Sequence, residues 1–218
     1  MIVGNSRGVA AGVIALALSV AADAPAQDGQ MLLDRALATV EGRVITLSDV
    51  RTAARFGLVD TAGADAVAAT LERLIDRTLM LAEVERYAPP EPDPAAVRER
   101  VDRIRARFSG DDAFRSALRV AGIDESFIEG WARNDLRIEG YVEERFAGAA
   151  EPTDEEVIAY IRRHEADLRK GGRPLDDPDV QKLARAEVAR DRRRVVVGDW
   201  VRELRGHADV STTPAVSR

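Results

Sequence analysis

The stretch Ala36-Leu37-Ala38-Thr39-Val40-Glu41-Gly42-Arg43-Val44-Ile45-Thr46-Leu47-Ser48-Asp49-Val50 decides how this chain folds. Ala36, Ala38 and Val40 fall on one face of an extended strand. Val44 and Ile45 bring β-branched residues to a second strand, and Glu41-Gly42-Arg43 supplies the reversal between the two. Thr46 or Ser48 then caps a helix whose first turn holds Asp49, where the helix dipole favours negative charge. Almost everything that follows repeats at helical spacing, and a lone hairpin is marginal in water, so its partner must come from far along the chain. The β-leaning stretch Ala208-Asp209-Val210-Ser211-Thr212 is the candidate. The expected fold is mainly α: a multi-helix bundle with a small hairpin near the mature N-terminus, joined by a short C-terminal strand that pairs with residues 36–46.

Helices follow from periodicity and punctuation. Helix 1 is expected over about 47–56, with Gly57 closing it. A linker containing Asp60, Gly63 and Asp65 leads to a helix over about 66–87, whose apolar positions Leu71, Leu74, Ile75 and Leu79 recur at helical spacing. The run Pro89-Pro90-Glu91-Pro92-Asp93-Pro94 ends that helix and starts the next, with Asp93 as cap and Pro94 as first helical residue. Asp111 or Asp112 is expected to cap a short helix closed by Gly122. Asp124 opens a longer one closed by Gly148. Thr153 and Glu156 form a capping box ahead of Val157, Tyr160 and Ile161. A final helix runs from about 178 to 206 after the glycine-containing stretch Lys170-Gly171-Gly172-Arg173-Pro174.

Upstream of the hairpin, Arg7 precedes an uncharged run from Val9 to Val20, and Ala24-Pro25-Ala26 has the small-x-small form of a cleavage site. Residues 1–26 read as a signal peptide cut after Ala26, which places the mature chain in the periplasm. The apolar run falls well short of the roughly 20 residues a bilayer-spanning helix needs, so no membrane span is expected after cleavage. The sequence has no cysteine, which excludes a lipid-modified cysteine anchor, disulfides and thiolate zinc sites. Net charge is −6 with 32% charged residues, and nearly every arginine lies within a helical turn of Asp or Glu, a self-paired solvated surface. An acidic exported chain of this kind is not expected to bind nucleic acid.

These pieces resemble the framework of SurA-type periplasmic chaperones, with their trigger-factor-like peptide-binding N-terminal domain. The resemblance is carried by residues 36–50 as quoted and by Leu71-Glu72-Arg73-Leu74-Ile75-Asp76-Arg77-Thr78-Leu79-Met80. It extends to Pro152-Thr153-Asp154-Glu155-Glu156-Val157-Ile158-Ala159-Tyr160 and Trp200-Val201-Arg202-Glu203-Leu204-Arg205-Gly206-His207-Ala208-Asp209-Val210, in the family's order. It implies a helical chaperone domain over 27–148 with the hairpin at 36–46, onto which the helices and strand of 149–212 pack back, and a disordered tail at 213–218. It further implies ATP-independent binding of unfolded or extended polypeptides, outer-membrane protein precursors among them, without a cofactor. Family members also carry parvulin prolyl-isomerase modules between the two segments. Here the interval from Tyr160 to Pro178 is far shorter than the roughly 90 residues such a module needs, so the chain is expected not to be an enzyme. Prolyl isomerase and single-partner envelope adaptor stand as the alternatives.

No catalytic or metal-ligating set emerges. His164 and His207 lie apart without carboxylate partners at ligand spacing, and read as surface or capping groups. The pairs Glu155-Glu156 and Asp111-Asp112 sit where helix starts favour acid. Gly171-Gly172-Arg173 lacks the strand and the Lys-Ser/Thr of a phosphate loop. The aromatic set Phe108, Phe114, Phe127, Trp131 and Tyr141 follows helical periodicity, which suits a core. The same residues are the candidates for lining an apolar crevice that takes extended polypeptide. Trp200 is expected to staple the tail to the hairpin.

Overall fold

A two-residue reversal between right-twisted strands requires left-handed backbone at both turn positions, and the hairpin has it: φ is 49° at Glu41 and 77° at Gly42. The computed structural model describes residues 34–60, 65–149, 151–170 and 174–213. The expected signal peptide, Gly171-Gly172-Arg173 and residues 214–218 of the expected tail lie outside the described residues. Strands β1 (Ala36–Val40) and β2 (Arg43–Thr46) pair antiparallel, with Ile45 opposite Ala38 and Arg43 opposite Val40. A register shift between Ala36 and Ala38 turns Leu37 inward beside Ala38 and Val40, while Ala36 stays exposed. Strand β3 (Val210–Thr212) comes from the chain's far end and pairs antiparallel with β1, giving the order β2-β1-β3. The tail also holds the strained turn. Glu41 N–H donates to the Asp209 carbonyl at 2.9 Å, and the Glu41 carboxylate accepts from Asp209 N–H at 2.8 Å.

Eight helices complete the described residues. Helix α1 (Leu47–Phe56) starts with a Thr46/Asp49 capping box and ends at left-handed Gly57. Helix α2 (Ala66–Tyr87) is capped by Asp65, and α3 (Pro94–Arg105) by Asp93 with Pro94 leading. Helix α4 (Asp111–Ala121) departs from expectation. Gly110 occupies its cap without a side-chain bond, while Asp111 and Asp112 are its first two helical residues and act on the dipole instead. Helix α5 (Glu125–Phe146) is capped by Asp124 and stops just before Gly148. Helix α6 (Asp154–Arg163) carries the expected Thr153/Glu156 box, and the short α7 (Glu165–Lys170) was not legible. Helix α8 (Pro178–His207) is the longest.

The main core gathers Leu37, Val40 and Ile45 of the sheet, Val50 and Phe56 of α1, Leu74, Ile75 and Leu79 of α2, and the buried faces of α3, α4 and the start of α5. A second cluster joins Leu81 and Val84 of α2 to Ile138 and Tyr141 of α5 and Trp200 of α8. Trp200 therefore staples α8 to α2 and α5 rather than the tail to the hairpin. A third, smaller cluster is Val157 and Ile161 of α6 with Ala184 of α8. Helix α8 thus buries one face early, against α6, and a different face late, against α2 and α5. That is why its apolar residues keep no single stripe.

Candidate functional site

The open edge of the hairpin, the middle of α2 and the start of α5 converge without filling the space between them. Val44 and Ile45, Thr52 and Ala53, Leu74 and Leu81, and Phe127 and Trp131 surround a cavity of about 220 Å³. Val44 and Phe127 stand at its rim at 54% and 39% exposure. A larger groove of about 780 Å³ runs on between α2, α5 and α8, floored by Met80, Ile138, Val197 and Val201. Leu58 and Arg77 line both spaces.

Arg77 and Asp135 make the partition. Arg77 Nε donates to Asp135 Oδ1 at 2.9 Å, and an Arg77 Nη donates to the Trp131 carbonyl at 3.3 Å. Trp131 Nε1 donates to the other Asp135 oxygen at 3.1 Å. The Arg77 guanidinium lies 3.5 Å from the Trp131 ring centroid, a cation–π contact. Arg100 closes the group, with a 4.0 Å contact to Asp135 and a 2.7 Å bond to Glu139. Burial lowers the Arg77 pKa and raises that of Asp135, each against the pull of its partner. The node pins the Trp131 ring as a flat apolar wall. Removing either partner would leave a charge in a poorly solvated place.

The five sequence-selected aromatics do not form one site. Phe114 is 1% exposed and packs against Phe56 and Phe108 with ring centroids at 6.0 and 5.4 Å, all inside or against the main core. Tyr141 is 6% exposed in the second cluster, 5.8 Å from Trp200, where burial raises its hydroxyl pKa. Phe127 and Trp131, 6.3 Å apart, are the two that reach the cavity. Val44, Leu58, Arg77 and Asp135 belong to the site and were not selected. The signal for Asp135 was its place four residues after Trp131, which puts both on one helix face. Nothing local joins Asp135 to Arg77, 58 positions away. His164 and His207 each donate from Nδ1 to a carbonyl four residues back, and His164 stacks on Tyr160. Among the described residues no group of three His, Cys, Asp or Glu could hold a metal ion, and no helix is long and apolar enough to cross a membrane.

No family model matches this chain, and no curated protein matches it.

Proposed function

We propose that this chain is a SurA-type, ATP-independent chaperone, exported to the periplasm, that holds unfolded polypeptides, outer-membrane protein precursors among them. One observation supports this most directly. An open cleft, with Val44 and Phe127 exposed at its mouth and Trp131 held flat in its wall, continues past Arg77 into a second groove with an apolar floor and a charged rim. Such a surface offers adaptable contacts to many side chains and a fixed geometry to none, which suits a holder of diverse unfolded segments. Residues 27–148 and 149–212 form one chaperone module in this reading, clasped by β3. Release needs no nucleotide, because contacts that are individually weak are outcompeted once the client buries its own apolar surface by folding.

The test is aggregation of a chemically unfolded client followed by light scattering. The mature protein at stoichiometric amounts is expected to suppress scattering, and the double variant Phe127→Ala/Val44→Ser is expected to lose most of that effect while keeping its helical circular dichroism. Full suppression by the double variant would remove the cleft from the reading.

A further inference from the structure

Glu41 N–H donates to the Asp209 carbonyl, and Thr213 N–H donates to the Leu37 carbonyl, both on the β3 side of β1. Odd-numbered residues of β1 therefore point their backbone toward β3, and Ala38 and Val40 point theirs toward β2. Their partners Ile45 and Arg43 spend their backbone groups within the hairpin. Val44 lies opposite Thr39, at the wide pair, so its N–H and C=O point away from β1, toward the free side of β2. Among the described residues the sheet has no strand beyond β2. Thr46, the next residue with the same parity, already donates its N–H to Asp49 Oδ2 at 2.8 Å. The edge thus presents one donor and one acceptor, both on Val44, and the 220 Å³ cavity opens beside it.

We infer that β2 is a docking edge for an extended segment of the client. The segment adds antiparallel as a fourth strand at Val44 and sends apolar side chains into the cavity beside Phe127 and Trp131. A donor and an acceptor on one strand residue are complemented together by the backbone of another strand, whatever its sequence. Antiparallel addition also sets the alternation. The client residue opposite Val44 shares Val44's outward face, while the residues before and after it share the face of Ile45, which is buried toward the cavity. Backbone recognition accounts for breadth of clients, and two hydrogen bonds with one cavity keep the hold weak enough to release. This inference rests on the chaperone reading, which supplies the client.

The test uses short overlapping peptides tiled through reduced, carboxymethylated α-lactalbumin, with binding to the mature protein read by fluorescence anisotropy. The tightest peptide is resynthesised with each backbone N–H methylated in turn, and separately with each residue replaced by Gly. Strand addition predicts two interleaved patterns. Methylation at the residue opposite Val44 weakens binding about tenfold, as loss of one hydrogen bond implies, whereas Gly at its two neighbours weakens binding and methylation there does not. Val44→Pro deletes the outward N–H without touching the hairpin ladder, and should weaken the same peptide to a similar degree. Because the peptide series leaves the protein unaltered, its result stands even if Val44→Pro folds poorly. Tight binding that ignores methylation at every position overturns strand addition while leaving the chaperone reading in place. Binding by no peptide overturns the chaperone reading itself. A wild-type dimer that Val44→Pro abolishes gives the edge to a second copy, and also overturns the inference.

Discussion

The body of the molecule and the arm made by α6, α7 and the first half of α8 are held by different forces. In the body, Phe56 is wholly buried and meets Phe108 and Phe114, within a continuous core that joins the sheet to five helices. In the arm the buried apolar set is smaller, Val157 and Ile161 of α6 with Val180, Ala184 and Val188 of α8, and none of it is aromatic. Charge and caps make up the difference there. Arg192 binds both Glu156 oxygens at 2.7 and 2.8 Å and donates to the Ala149 carbonyl, and Arg185 reaches Asp154 at 2.5 Å and the Pro152 carbonyl at 3.3 Å. Apolar burial is non-directional and is not screened by salt, whereas exposed ion pairs weaken with both salt and acid. The main core belongs to the first regime, and the arm adds the second to a smaller apolar set.

The largest expected effect comes from breaking the body. Phe56→Ala removes a fully buried ring from three-way aromatic packing and should cost about 3–5 kcal/mol in denaturant unfolding. A loss below about 1 kcal/mol would mean the core can collapse around the gap, contrary to close packing. Next is the partition of the cleft. Asp135→Ala leaves Arg77 without its carboxylate, and should destabilise by about 3 kcal/mol and change Trp131 fluorescence, because the ring loses both its N–H acceptor and its positioned cation. Asp135→Asn, which still accepts from the indole, should cost less. Equal losses would show that charge, not the hydrogen bond, holds the ring.

Smaller and local is the effect of the arm's cap. Thr153→Ala removes the acceptor for Glu156 N–H and should loosen α6 by about 1 kcal/mol. Hydrogen exchange is the measurement: faster exchange is expected over 154–163, with α1 and α2 unchanged. Exchange that rises equally in α2 would unite arm and body into one cooperative unit and erase the distinction.

Much of this was legible because capping is local. Thr46 or Ser48, Asp93, Asp124 and the Thr153/Glu156 box were read from a few neighbouring residues, and all four starts carry the side-chain bonds that the pattern implies, with Thr46 settling the first. The tail strand was legible for another reason, since a hairpin without a partner is an incomplete sheet. What periodicity cannot reveal is what lies opposite an inward face. Phe114 and Phe127 both follow helical stripes, yet α4 presses Phe114 into the core while Phe127, in the first turn of α5, passes the end of its cover and reaches the cavity. Trp200 was misplaced on the same ground: its position near the tail pointed to the hairpin, but its partners are on α2 and α5. The six-residue α7 has no room for a period at all.

The faintest effect separates the two regimes most cleanly, because acid acts on them with opposite sign. Glu156 has its pKa held below the ordinary 4.5 by the Thr153 backbone N–H and by Arg192. In the folded arm it therefore binds fewer protons than in the unfolded chain. Its stabilising contribution is complete above pH 4.5 and is lost as pH falls through its lower folded value. Asp135 has its pKa raised above the ordinary 3.8 by burial, so the penalty for keeping it charged is relieved as pH falls through that raised value. Protection factors measured while pH is lowered from neutrality should thus fall first over α6, while those of α2 and α5 around Asp135 hold or rise. Glu156→Gln should flatten the decline over α6 and leave α2 and α5 as they were. A decline that survives Glu156→Gln would show that the acid sensitivity of α6 does not arise at Glu156 and would break the contrast with Asp135.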